Sequence, residues 1–235
     1  MAAVALLFSI ITPARAMGDE LALAEPVAML VRAQTGGQTS ADALAHQSIA
    51  LSDSVDTTPN RAQAERAVHS ALDLAQRAVK LDPSSSKAHL ALSIASGRLT
   101  DYVDNSTKLQ LSKIVRSEAE RAIALNPGEH LGYYILGRWH YGMATLNPVL
   151  RFIAQKIYGS MPHASLPEAA SNLEKAVALS PQTIIYHQHL ALTYKALGQR
   201  DQAVRQWQAV LTLPASNAEQ TQAKREARSA LARKS

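Results

Sequence analysis

Three cationic residues, Arg98, Arg138 and Lys195, could each hold a carboxylate, because guanidinium and ammonium groups donate several hydrogen bonds to an anion. Tyrosines and aliphatic residues stand at helical spacing from them, and this mixture is typical of surfaces that bind peptides. The candidate set for a partner-binding groove is Lys87, Leu90, Ile94, Arg98, Tyr134, Arg138, Tyr141, Gln188, Leu192 and Lys195. Two other interpretations stay open: a face that contacts only solvent, and a groove filled by the chain's own N-terminal residues.

Patterns for catalysis and for metal or cofactor binding are missing from the sequence. The chain has eight His and no Cys, which excludes disulfides, thiolate metal sites and a cysteine nucleophile. His187 and His189 point to different sides of a helix, and His140 beside Trp139 is interpreted as a core histidine. There is no HExxH motif, nucleophile elbow, phosphate loop or dinucleotide fingerprint. We therefore predict no catalytic residues, no metal, no cofactor and no enzymatic activity.

The candidate residues must be positioned by helices, and four of the predicted helices end in the same way, with a proline. Alanine dominates the apolar residues, aromatic content is 5%, and Gly and Pro number 10 each, a composition that favours packed helices over sheets. Four amphipathic stretches close with Pro83, Pro127, Pro181 and Pro214. Proline cannot continue a helix, so each marks the end of one. The sequence therefore contains a helical repeat.

The proline intervals of 44, 54 and 33 residues differ from the usual repeat period of about 34. Two units therefore carry extra residues, around 98–112 and within 143–167. Both insertions fall between the first and second helix of a unit. They could bind a partner or only cap the core, and the sequence leaves both possibilities open.

The tetratricopeptide pattern is most complete after Pro181. It places Leu190 and Tyr194 one turn apart, Gly198 in the turn between the helices, and Trp207 facing back onto the first helix. The residues interpreted as specifying the repeats are Pro83, Pro127, Leu136, Gly137, Trp139, Ala169, Ala176, Pro181, Leu190, Ala191, Tyr194, Gly198, Ala203, Trp207 and Pro214. The predicted fold is an all-α tetratricopeptide-type solenoid of about three to four helix pairs.

The predicted domain organisation has four parts. Residues 1–16 form a cleavable signal peptide, and residues 17–39 form an N-terminal arm. Residues 40–220 form the repeat domain, and residues 221–235 form a basic capping helix. The last part holds five basic residues and one acidic residue, whereas the formal charge of the whole chain is +5. The basic excess is thus mostly local, and we expect no nucleic-acid partner.

A targeting segment is predicted from the apolar run at residues 2–11, which a small-x-small site at Ala14-Arg15-Ala16 follows. Ten residues are too few to span a bilayer as a helix, which needs about 20. No basic residue precedes the run, and a buried helix is the alternative interpretation. We expect cleavage after Ala16, a periplasmic or secreted location and no transmembrane segment.

Several sequence segments together resemble one family, the regulator of microtubule dynamics proteins. The matching segments are LGRWHY at 136–141, YGSMPHAS at 158–165, EA at 168–169, LTLP at 211–214 and KREA at 224–227. The resemblance covers roughly residues 60–232. It implies an all-α repeat domain that acts as a binding adaptor. The microtubule role of eukaryotic members is not transferred, because the export signal indicates a bacterial relative.

These features together predict an exported adaptor that binds a peptide or protein segment in the concave groove of the repeat array. The alternative is an accessory small-ligand binder or enzyme subunit, with residues 143–167 as a lid over the groove. A closed cavity beneath that insertion would favour the alternative, whereas an open groove would favour the adaptor. The sequence does not specify the partner or the oligomeric state.

Overall fold

The computed structural model describes residues 40–159 and 163–232, which contain ten α-helices, two short 3-10 helices and no β-strand. The predicted signal peptide and the predicted N-terminal arm, residues 1–39, lie outside the described residues. The helices are α1 Ala41–Ser54, α2 Arg61–Leu81, α3 Ser86–Leu99, α4 Asn105–Leu125, α5 His130–Ala144, α6 Pro148–Tyr158, α7 Leu166–Leu179, α8 Ile184–Ala196, α9 Arg200–Thr212 and α10 Ala218–Ala232.

Four helix pairs form the framework of residues 40–159 and 163–232. Helix α1 pairs with α2, α3 with α4, α5 with α7, and α8 with α9, and α10 packs on α8 and α9. Successive pairs also contact each other, because α2 packs on α3, α4 on α5 and α7 on α8. The predicted all-α, tetratricopeptide-type fold with about three to four helix pairs is confirmed.

The helices end where the sequence predicts. Helices α2, α4 and α7 end two residues before Pro83, Pro127 and Pro181, and α9 ends two residues before Pro214. Six of the helices, α1, α2, α3, α4, α6 and α7, begin after a polar side chain that accepts a hydrogen bond from the first helical turn, which supplies a partner for otherwise unpaired amide groups. These N-cap residues include Ser40, Asn60, Ser85, Asp104, Asn147 and Ser165.

A seam of small residues lets the first three helices approach closely. Ala45 of α1, Ala71 and Ala75 of α2, and Ala88 and Ala91 of α3 are all fully buried in one cluster. The small side chain of alanine allows two helix backbones to lie close together, and its burial costs no rotamer entropy. The alanine-rich composition thus reflects helix-to-helix packing.

Two histidines join the first and second helices of their units in the same way. His89 of α3 lies with Nε2 2.9 Å from the Pro83 carbonyl and Nδ1 2.6 Å from a carboxylate oxygen of Glu118. His187 of α8 lies with Nε2 2.8 Å from the Pro181 carbonyl and Nδ1 2.7 Å from Gln206. In both units a histidine six residues after the proline connects the interhelical turn to the second helix.

The two insertions take different forms. The first consists of a 3-10 helix, Thr100–Tyr102, followed by extra turns at the start of α4, so residues 105–112 are helical. The second contains α6, which packs against α4 and places Leu150 and Ala154 in a core cluster with Trp139. Helix α6 therefore covers the core beside α4.

Candidate binding face on the first helices of the repeats

One side of α5 carries a histidine, a tyrosine and an arginine at intervals of four residues, which places them in a row along the helix. His130, Tyr134 and Arg138 face Tyr186 and His189 of α8, and we call these five residues the α5–α8 cluster. The rings of Tyr134 and Tyr186 stack with centroids 4.7 Å apart, and Nδ1 of His130 lies 2.8 Å from the Tyr186 hydroxyl. The cluster fastens the third repeat to the fourth.

Arg138 is the only permanently charged member of the α5–α8 cluster. Its Nη1 atom donates to the imidazole of His189 and lies 3.5 Å from the Tyr134 hydroxyl. Burial first, and then the guanidinium charge, hold the pKa of His189 well below its usual 6.5, so the ring is neutral and can accept. Burial also raises the pKa of Tyr134 to about 12, which keeps the phenol protonated. No described carboxylate forms an ion pair with Arg138.

Arg98 already has an anionic partner within the fold. Its two terminal nitrogens donate to both carboxylate oxygens of Asp56, at 2.8 and 2.7 Å. Asp56 belongs to the 3-10 helix Val55–Thr57 that follows α1. Such a bidentate pair uses the donors that a bound carboxylate would need. The expectation that Arg98 presents its guanidinium to a partner is therefore corrected: it connects α3 to the end of the first helix.

Other candidate groove residues also lie in the core. Leu90 and Ile94 of α3 are buried in a cluster with Trp139, and Tyr134 is 1% exposed. Gln188 of α8 is buried and donates to Glu226 of α10 at 2.8 Å. The expectation of an open face does not hold at these positions, because neighbouring helices pack against the side of α3, α5 and α8 on which they lie.

The remaining candidates are accessible to solvent in differing degrees. Tyr141 is half-buried on α5. Lys87 is exposed at the start of α3, where its Nζ lies 3.9 Å from Asp42 and 3.3 Å from His46. Leu192 and Lys195, near the end of α8, line an open cleft.

This cleft, of about 570 Å³, lies between α8, α9 and α10 and combines an apolar wall with charged groups. Leu192, Val204 and Ala230 contribute apolar surface above the buried Trp207, while Lys195 and Arg200 are exposed cations. Glu226 is the acidic residue of the lining, and it accepts from Gln188. A ligand with a large apolar group and a carboxylate would find both kinds of partner here.

A second cleft lies between α5 and α7. This open cleft, of about 470 Å³, is lined by Tyr133 of α5 and by Lys175 and other residues of α7. Neither cleft has a lining residue from 143–167, the predicted lid.

In residues 40–159 and 163–232, His, Asp and Glu side chains form no group of three suited to hold a metal ion. Over the same residues, no helix is both long and apolar enough to cross a membrane.

Sequence reasoning missed part of this arrangement. The regular spacing of His130, Tyr134 and Arg138 could have indicated a continuous row on α5, but their partners on α8 cannot be read from spacing. The prediction that His187 and His189 face different sides is confirmed by their separate partners, Gln206 and Arg138. Trp207, predicted as a repeat residue, is 4% exposed and also lines the cleft.

Comparison with known protein families gives a match over most of the chain. The family model described as regulator of microtubule dynamics protein 1-3 matches residues 18–235. Regulator of microtubule dynamics protein 3 of Xenopus laevis is 31% identical over 107 residues, which are 46% of this chain and 23% of that protein. Protein 2 of Mus musculus is 27% identical over 154 residues, 65% of this chain and 38% of that protein. The chain thus matches less than half the length of each of these relatives.

Solved structures share the fold at low sequence identity. A thermophilic TPR protein of Thermus thermophilus matches with a TM-score of 0.50 and 16% identity, covering 88% of this chain and 97% of that one. A MamA double mutant matches with a TM-score of 0.50 and 18% identity, covering 80% of this chain and 82% of that one. At these identities the likeness concerns architecture alone.

Proposed function

Because the chain belongs to the regulator of microtubule dynamics family and has a tetratricopeptide-type fold, we propose that it is an interaction scaffold for a protein partner. The proposed contact is a short partner segment, seated in the cleft between α8, α9 and α10. Family and fold together suggest the scaffold role, and the cleft supports this particular site. No microtubule role is proposed, because the match covers less than half of each named relative.

The observation that carries the proposal is the juxtaposition of apolar wall and cations in the cleft. Leu192, Val204 and Ala230 can pack on an apolar side chain, and well-packed, desolvated anchors of this kind dominate the binding energy at interface hot spots. Lys195 and Arg200 are exposed at the same opening, and each can donate to a carboxylate. The occupant therefore carries a large apolar residue next to an acidic side chain or a free C-terminus.

Arg138 and Arg98 lie outside the proposed contact, although both were candidates from the sequence. Arg98 is engaged by Asp56, and Arg138 by His189. Their role in the proposal is to hold successive repeats in register, so that α8 presents Leu192 and Lys195 at the cleft.

The proposal is one of binding without catalysis. The alternative with residues 143–167 as a lid is not favoured, because α6 in that segment packs on α4 and the two clefts are lined by other residues. We also propose export, which rests on the apolar run and the small-x-small site at residues 2–16.

The test uses a displayed peptide library selected on the full-length chain. Trp139→Phe leaves Trp207 as the only tryptophan, so the fluorescence of Trp207 reports occupation of the cleft. We expect selected peptides to place an acidic group beside a large apolar residue and to change this fluorescence. Lys195→Glu and Arg200→Glu should each raise the dissociation constant about tenfold or more, since a lost charge-assisted hydrogen bond costs about 1.5–3 kcal/mol.

The matched control is Lys87→Glu, which reverses an exposed lysine at the start of α3 rather than in the cleft. It should leave the dissociation constant unchanged. Selected peptides that bind the Lys195→Glu and Arg200→Glu variants as tightly as the parent chain would show that the cleft is not the binding site.

A further inference from the structure

Helix α6 exposes large apolar side chains to solvent. Val149 is 69% exposed and Phe152 is 61% exposed, the two highest values among the exposed large hydrophobic residues of the described chain. They are three positions apart, so they lie on the same side of the helix. Single exposed apolar residues are common, but two adjacent ones on one helix face need an explanation.

The opposite side of α6 packs into the hydrophobic core. Leu150 and Ala154 are 6% and 0% exposed, and Ile153 and Ile157 pack beside them. At about 100° per residue, Phe152 lies nearly opposite this buried row. A helix that only covered the core would carry polar residues there, whereas α6 places an aromatic ring at its outermost point.

The charged residues of α6 itself are all positive. Arg151 and Lys156 are exposed on α6, and α6 contains no acidic residue. The Lys156 ammonium lies 5.5 Å from the centroid of the Phe152 ring. Lys113 of α4 donates to the Ile157 carbonyl, which brings a third cation to the end of α6. On the adjoining α4, Glu120 is engaged by Arg116 at 2.7 Å.

We propose that α6 is a peripheral docking helix for an anionic lipid surface. Val149 and Phe152 enter the boundary between headgroups and acyl chains, and Arg151 and Lys156 contact lipid phosphates beside them. The apolar residues form a convex crest on a single helix. A flat and fluid lipid surface can accept such a crest, whereas a protein partner would need a groove that receives α6. This docking is separate from the cleft of α8, α9 and α10.

The experiment places a reporter at the crest of the otherwise intact chain. Both native tryptophans are buried, so Phe152→Trp adds an exposed indole whose emission shifts to the blue on entering lipid. We expect this shift, and quenching by brominated acyl chains, with equimolar phosphatidylglycerol–phosphatidylcholine vesicles and not with phosphatidylcholine alone. Leu81→Trp is the matched control, since Leu81 is 57% exposed on α2, and its emission should not change.

Flotation of the untagged chain with the same vesicles measures the contribution of each group. Val149→Gln with Phe152→Gln should lower the partition coefficient at least tenfold. Lys156→Gln should lower it about fivefold, the factor that corresponds to about 1 kcal/mol per basic residue near an anionic surface. Circular dichroism should show unchanged thermal unfolding in these variants, because the replaced side chains are exposed.

Two outcomes would overturn the proposal. The parent chain could fail to bind anionic vesicles, or the Val149→Gln, Phe152→Gln variant could bind them as well as the parent. In the first case, light scattering that shows a dimer dependent on Phe152 would identify a second copy as the occupant.

Discussion

Arg138 and His189 form a contact between a permanent cation and a neutral imidazole across the α5–α8 interface. A guanidinium cannot lose its proton in a protein, so the ring nitrogen that accepts from it must be unprotonated. Burial and the adjacent positive charge both disfavour the imidazolium, and together they hold the pKa of His189 well below 6.5. This contact makes the junction between the third and fourth repeats sensitive to protons.

The first prediction concerns stability in mild acid. Between the lowered folded-state pKa of His189 and about 6.5, the unfolded chain binds a proton that the folded chain does not. The free energy of unfolding should therefore fall as pH drops below about 6.5, by at most about 1.4 kcal/mol per pH unit from this residue. His140 adds a slope of the same sign, because burial lowers its pKa despite the nearby Glu168.

Urea unfolding at a series of pH values measures this slope. His189→Gln keeps an acceptor near Arg138 but cannot titrate, so its slope below pH 6.5 should be shallower than that of the parent. His69→Gln, at an exposed position on α2, serves as the control and should keep the parent's slope. An unchanged slope in His189→Gln would contradict the proposed protonation state.

The second prediction concerns the close approach of α5 and α7. A Cβ atom on Gly137 would lie 2.6 Å from Cγ of Leu173 and 3.1 Å from the carbonyl of Ala169. Leu173 is fully buried, so a shift of its side chain would disturb other core contacts. We expect Gly137→Ala to lower the free energy of unfolding by about 1–3 kcal/mol, as overpacking of a core does.

A double-mutant cycle separates this clash from the loss of glycine itself. Leu173→Ala opens space at the same point, so the double variant should lose less stability than the sum of the two single variants. Additive losses would mean that the cost of Gly137→Ala arises elsewhere than in the contact with Leu173.

Helix ends, pairing and the turn between α8 and α9 could be predicted from the sequence because each depends on local chemistry. Pro83, Pro127 and Pro181 each follow the end of a helix by two residues, because proline cannot continue a helix. Gly198 adopts a φ of 75° that other residues rarely tolerate. Helix α6 lies in the 143–167 insertion, for which no helix is predicted from the sequence. In the structure Asn147 caps that helix and Pro148 occupies its first turn, where the missing amide hydrogen costs nothing.

The candidate site was harder to predict, since it depends on contacts between units. Counting along each first helix places Ile94, Arg98 and Tyr134 on one face, but it cannot show what packs against that face. Arg98 pairs with Asp56, which lies 42 residues earlier in the sequence, and Tyr134 stacks on Tyr186 across the α5–α8 interface. Such pairs depend on how the repeats pack against each other, which the spacing within one helix does not specify.

The third prediction tests whether Arg98 acts within the fold. Asp56→Ala leaves the nearly buried guanidinium without its bidentate partner, so we expect a loss of about 1–3 kcal/mol in the free energy of unfolding. Asp73→Ala removes one member of an exposed ion pair with Arg77 and should cost less than about 1 kcal/mol. Equal losses in the two variants, measured by urea unfolding, would argue against a structural role for the Arg98–Asp56 pair.

The fourth prediction concerns processing at the N-terminus. A signal peptidase requires small side chains at the two positions that flank Arg15, and Ala14 and Ala16 supply them. We expect protein recovered from the periplasmic or secreted fraction to begin at Met17, as intact mass measurement would show. Ala14→Gln with Ala16→Gln should abolish cleavage and retain the precursor, whereas Ala2→Gln with Ala3→Gln, at the start of the apolar run, should leave the cleavage site unchanged. Exported protein that still begins at Met1 would contradict the assignment of residues 1–16.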